Sequence, residues 1–147
     1  MNNDSTIDTL NDLIETSKDG EKGFAKSADE TRNPELRALF SEGSARCARS
    51  ARELQDLVRG LGGDPEKRGS AAGALHRGWV DVKAAMTGRD DKAILNECER
   101  GEDVAKARYA NALREDLPPQ VRMIVERQYD GVLKNHDRVK ALRDAAV

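Results

Sequence analysis

The sequence predicts an all-α protein: an up-down four-helix bundle of two antiparallel hairpins, with a short crossover helix between the second and third helices. Three observations predict it. The composition is 35% charged but only 3% aromatic and is rich in Ala, Leu, Glu, Lys and Arg, the profile of packed helices rather than of sheets. Four segments carry apolar residues at alternating steps of three and four, the spacing of a bundle seam. Glycine and proline are scarce and do not cluster into long linkers, and the prolines sit at the breaks between those segments.

The first helix, 6–30, carries the stripe Ile7, Leu10, Ile14, Ser17, Glu21, Phe24 and Ala28. Asn33-Pro34 ends the break after it, with proline suited to a helix start. The second, 34–61, shows Leu36, Phe40, Gly43, Cys47, Ser50, Leu54, Leu57 and Leu61, and stops at Gly62-Gly63-Asp64-Pro65. The third, 90–116, runs Leu95, Cys98, Glu102, Ala105 and Tyr109 up to Leu117-Pro118-Pro119. The fourth, 119–145, runs Val121, Val125, Gln128, Val132, Asn135, Val139 and Leu142. Short breaks within each pair imply hairpins. The longer connection 64–89 holds Ser70 as an N-cap and Leu75, Trp79, Val82 and Met86 on one face, which predicts a fifth helix over 70–87 lying on the bundle. All 147 residues are read as one domain.

Charge and patterning exclude several classes. With 25 basic and 27 acidic residues interspersed, the chain lacks the basic, aromatic-interleaved surface that nucleic acid requires. No window reaches the length of a membrane span, and the opening MNNDSTIDTL lacks the features of a signal peptide, so a cytoplasmic location is expected. Cys47 and Cys98 do not make a disulfide framework. Both fall on seam positions, where cysteine acts as a small hydrophobe; a redox pair between them is the alternative. Ser50 has no local acid or histidine partner, and His76 is assigned to the surface of the crossover.

The chemistry concentrates in a polar layer. Two stripes lose their hydrophobicity at one level, Glu21 in the first helix and Glu102 in the third, each preceded by glycine. Laying the first helix on the third puts Gly20-Glu21 on Gly101-Glu102, so the two carboxylates are expected to face each other across a pseudo-two-fold axis. Gln128, Asn135 and His136 lie within a turn of Glu102, with His136 flanking the seam, and Tyr109 can hydrogen-bond into the same layer. A buried carboxylate has three outcomes: it is protonated, it pairs with Arg46 or Arg108, or it binds a metal ion. Inward carboxylates and histidine on facing helices are how bundles build di-iron and di-manganese sites. Inward polar groups that fix packing register without any ligand are the other reading.

The segments LNDLIETSKDGEKGF, GGDPEKRGSAAGALHRGWVDVKAAMTG and ILNECERGED resemble a bacterial ferritin-like family of uncharacterised four-helix-bundle proteins, over about 6–143. The resemblance implies a ferritin-like bundle and no established reaction. It implies one inward carboxylate from the first helix, matched by Glu21, and one from the third, matched by Glu102. It also implies Glu-x-x-His on the second and fourth helices, and there the match fails: Glu42 and Glu53 are followed by Ala45 and Asp56, Glu126 by Tyr129.

The expectation is therefore a ferritin-like protein of uncharacterised role that binds a metal ion, iron or manganese, through Glu21 and Glu102 with help from Gln128, His136 or Glu99. The ligand set for di-iron catalysis is incomplete, and no reaction is assigned. The alternative is a non-enzymatic bundle that self-associates or docks on a protein partner through Trp79, Leu75 or Leu133, its polar layer serving packing alone.

Overall fold

The first three helices start where a side chain can satisfy backbone N–H groups that have no partner inside the helix. In the computed structural model, which describes residues 2–65, 79 and 90–145, α1 spans Asn3–Glu30, and the Asn2 side chain accepts from Ser5 N at 2.8 Å. Helix α2 spans Pro34–Gly60; Asn33 accepts from Glu35 N at 2.9 Å, and Pro34 sits where its missing N–H costs nothing. Helix α3 spans Asp91–Leu113 and is capped by Asp90, which accepts from Lys92 N at 2.9 Å. Helix α4 spans Pro119–Ala145.

The exits are equally local. Gly62 takes φ +83°, a left-handed conformation that favours glycine, and Gly63 N donates back to Val58 O at 3.0 Å. Arg37 donates to Ala28 O and Thr31 O, and Arg122 to Leu113 O and Glu115 O, so the second helix of each hairpin caps the carbonyls of the first. The third helix ends at Leu113, short of the expected 116, because the chain already turns through 114–116 toward Pro118.

The four helices form two hairpins, α1–α2 and α3–α4, with α1 packed closely on α3 and α2 touching α4 at few positions. Among the described residues there is no strand, and no helix is long and apolar enough to cross a membrane. Two apolar clusters fill the interior. One gathers Phe24, Phe40, Trp79, Ile94 and Val139; the other gathers Leu10, Ile14, Leu54, Val58, Tyr109 and Val125. The predicted crossover helix over 70–87, with Leu75, His76, Val82 and Met86, lies outside the described residues apart from Trp79.

Trp79 explains two glycines. A Cβ at Gly23 would sit 2.2 Å from the indole and one at Gly101 2.1 Å from it, so the ring is seated between α1 and α3 on a surface that only glycine leaves open. It meets Phe24 edge-on at 5.1 Å between centroids. This corrects the expectation of Trp79 as an exposed docking residue: it is 9% exposed. Leu142, read as interior, is instead exposed near the end of α4.

Candidate functional site

Glu102 is buried as its place in the stripe predicts, with 2% exposure. Arg46 Nη2 donates to its Oε1 at 3.0 Å and Asn135 Nδ2 donates to the same oxygen at 2.8 Å. Its Oε2 has no hydrogen-bond partner among the described residues. Burial pushes the Glu102 carboxyl above its ordinary range, and Arg46 and Asn135 offset part of that rise. A cavity of about 20 Å³, room for about one water molecule, borders this carboxylate together with Ser17, Gly20, Cys47, Tyr109 and Trp79.

Glu21 does not face Glu102 from an equivalent interior position. Its side chain is 34% exposed and lies 3.5 Å from Lys18 Nζ. Gly20 takes the inward position instead, where a Cβ would approach Cys47 Sγ to 2.8 Å, so the cysteine fills the notch and turns Glu21 to the flank. Gly101 is also inward, but it receives Trp79 and leaves Glu102 facing the core. The two Gly-Glu pairs thus share a sequence pattern and not a geometry.

A second polar line crosses the bundle beside Glu102. Ser17 Oγ lies 3.3 Å from Tyr109 Oη, which donates to Gln128 Oε1 at 2.7 Å. Gln128 Nε2 in turn donates to Glu53 Oε1 at 2.8 Å and Ser50 O at 3.3 Å. All four helices contribute to this line, and burial raises the Tyr109 hydroxyl well above its ordinary range. Gln128 is committed to these bonds, apart from Glu102's own partners.

Three groups converge on the α3–α4 face. Glu99 and Asp103 lie one turn apart on α3, and one ligand atom from each lies within 4.8 Å of the other and of a His136 ring nitrogen. His136 is 6% exposed, so it occupies the interior where flanking had been expected, and Asn135 is the half-buried neighbour. His136 Nε2 contacts Asp103 Oδ1; its Nδ1 makes no hydrogen bond among the described residues, with Asp137 Oδ1 3.6 Å away. Arg143 from the end of α4 is in ion-pair contact with Glu99 Oε2, though not in hydrogen-bonding geometry. Asp103 was missed in the sequence, although its spacing of four from Glu99 is a legible one-face signal.

The cysteines are separately engaged. Cys98 Sγ donates to Ser27 Oγ at 3.4 Å, while Cys47 packs on Gly20; both are buried, free thiols, each pushed up to about 12 by burial. Neither has the thiolate character that redox exchange requires.

A dinuclear carboxylate centre needs several carboxylates and imidazoles converging between the helices. Among the described residues, the groups facing Glu102 at its level include Ser17, Gly20, Cys47 and Tyr109, and the one carboxylate lining the cavity is already held by a guanidinium. These residues do not fit a dinuclear metal group.

The family model described as a domain of unknown function (DUF2383) matches residues 5–115, and the chain belongs to that family. No curated protein matches at a significant level. Among solved structures, a two-domain protein of Anabaena variabilis containing DJ-1/ThiJ/PfpI-like and ferritin-like domains is similar over 99% of this chain, with TM-score 0.79 and 19% identity. This chain spans 40% of that one. A mutant of Mycobacterium smegmatis Dps1 is similar over 96% of both chains, with TM-score 0.80 and 15% identity. These likenesses, with the four helices described above, identify the fold as a ferritin-like four-helix bundle.

Proposed function

We propose that this member of the DUF2383 family is a ferritin-like bundle that holds a single divalent cation between α3 and α4, through Glu99, Asp103 and His136. The observation that carries the reading is the convergence of two carboxylates and one imidazole within 4.8 Å. One nitrogen and several oxygen donors suit Fe(II), Mn(II) or Zn(II). Glu21 has no place in this site, and Glu102 is neutralised by Arg46, which removes the electrostatic demand for a metal there.

The site carries its own competitor. Arg143 already supplies positive charge to Glu99, so an incoming ion has to displace a guanidinium that is 28% exposed and also donates to the exposed Asp144 at 2.7 Å. The test is metal content after loading with Fe(II), Mn(II) or Zn(II) and gel filtration. About one equivalent should be retained by the wild type, lost in His136→Ala and Asp103→Asn, and kept in Glu102→Gln and Glu21→Ala. Arg143→Gln should bind more tightly than wild type. Equal metal content in wild type and His136→Ala would remove the proposal.

A second reading is favoured by the line Ser17–Tyr109–Gln128–Glu53. It ties all four helices together using side chains alone, which supports a bundle whose polar layer fixes packing register without a ligand. A protein that retains no metal and stays folded and stable without it would favour this reading.

A further inference from the structure

The face opposite Trp79 is built differently from the rest of the surface. Trp79 covers the contact of α1 with α3, whereas α2 and α4 touch at few positions, with Gln128 and Arg127 reaching Glu53, and leave two adjoining clefts of about 330 and 220 Å³. Arg46 and Gly131 lie in both, so the clefts form one groove. From Glu53 to Glu42 it follows α2 for about 16 Å at 1.5 Å per residue.

Its charge is not that of the protein. The chain as a whole carries a net charge of −2, yet five basic side chains line the groove, Arg46, Arg49, Arg127, Lys134 and Arg138, against the carboxylates of Glu42 and Glu53. Three of the five are engaged: Arg46 with Glu102, Arg127 with Glu53, and Lys134 with Asp130. Arg49 and Arg138 are exposed and have no carboxylate partner among the described residues. At the centre, the missing side chain of Gly131 keeps the floor open; among the described residues a Cβ there would meet only Arg46 Cδ, at 3.8 Å.

We propose that the α2–α4 groove is a binding site for a small ligand bearing several anionic groups of the phosphate type. Arg49 and Arg138 supply the unmatched charge, one toward each end. Guanidinium forks match phosphate oxygens bidentately, and a walled cleft concentrates their field. The rim favours a small ligand over a nucleic acid. Glu126, Asp130 and Asp137 on α4 are exposed and would repel a long phosphate backbone laid across the groove.

The probe is sodium tripolyphosphate, titrated calorimetrically into the full chain in EDTA and about 0.15 M salt, where long-range screening is strong. The EDTA makes the outcome independent of the metal reading. One molar equivalent should bind, and Arg49→Ala/Arg138→Ala should weaken it roughly tenfold or more per guanidinium removed. Neither arginine holds a structural bond among the described residues, so the double variant should keep the wild-type thermal midpoint in the absence of ligand. Arg52→Ala/Arg59→Ala, on the same helix outside the groove, should bind as wild type does. Absence of binding by the wild type overturns the proposal. So does equal weakening in the two double variants, which marks non-specific attraction. A single-stranded oligonucleotide binding more tightly than tripolyphosphate would overturn it in favour of a nucleic-acid surface.

Discussion

Arg46 on α2 places Nη2 3.0 Å from Glu102 Oε1 on α3, and this pair supplies the main compensation for the bundle's central carboxylate. Arg46 keeps part of its surface in solvent, while Glu102 keeps almost none. Removing the arginine therefore leaves a buried charge whose other donor is Asn135. Breaking one side of a buried pair typically costs about 3–5 kcal/mol. We expect Arg46→Met to lose stability on that order at pH 8 in urea unfolding.

The pH dependence of that loss has a definite sign. Burial raises the folded carboxyl above its unfolded value, so the native state holds the Glu102 proton more tightly than the unfolded chain does. This group's contribution to stability is greatest below the unfolded carboxyl range and is lost as pH rises through the raised folded value. Without Arg46 the folded value rises further. The deficit of Arg46→Met relative to wild type should accordingly shrink from pH 8 to pH 5. A deficit constant over that range would show that Glu102 is not the group left uncompensated.

The seat of Trp79 makes a spectroscopic prediction. The chain has one tryptophan, so intrinsic emission reports that residue alone. Gly23→Ala and Gly101→Ala each put a Cβ inside the indole's space, and overpacking of this kind costs about 1–3 kcal/mol. Alanine in a helix returns about 1 kcal/mol of that. Both variants should shift emission to the red as the ring is pushed out. Gly131→Ala, where nothing comes closer than 3.8 Å, should leave emission unchanged and gain a few tenths to 1 kcal/mol. Unchanged emission in both of the first variants would mean the indole is not seated between these glycines.

The helices were legible because their punctuation is chemical: Asn33-Pro34, Gly62-Gly63 and Pro118-Pro119 lie at the observed breaks. Pairing of Glu102 with Arg46 was one of three outcomes open to a buried carboxylate; its surroundings decide among them. Glu21 was misplaced for a specific reason. A seam advances by three or by four, and from Ser17 the step of three reaches Gly20 while the step of four reaches Glu21. Glycine carries no hydropathy signal, so the side chain that fills its notch, Cys47, is visible only in three dimensions. The same ambiguity between adjacent positions exchanged Asn135 and His136. The α2–α4 groove depends on which arginines lack partners, a property of the packed structure that interspersed charge in the sequence conceals.

Burial of both cysteines predicts silence toward thiol reagents. With each thiol pushed up to about 12, almost no thiolate exists at pH 8, and neither sulfur faces solvent. Ellman's reagent should titrate essentially no thiol in the folded protein at that pH and both after denaturation. Mild oxidation should leave the intact mass unchanged. Rapid labelling of either cysteine in the native state, or a mass loss of two hydrogens, would contradict the burial described here.

The Tyr109–Gln128 bond permits a test of whether the polar line acts as a unit. Tyr109→Phe removes the donor to Gln128 Oε1 and leaves a buried amide oxygen short of a partner, at a cost of about 1–3 kcal/mol. Gln128→Leu leaves the Tyr109 hydroxyl with Ser17 as its remaining partner among the described residues and releases Glu53 to Arg127. In the double variant both polar groups are gone, and an apolar pair of similar shape avoids most of the desolvation penalty. The double variant should be less destabilised than the sum of the singles by about 0.5–3 kcal/mol, the range for residues in one network. Urea unfolding of the four proteins measures that coupling. Simple additivity would show that the two side chains stabilise the bundle independently, and the line through all four helices would then lose its role in fixing their register.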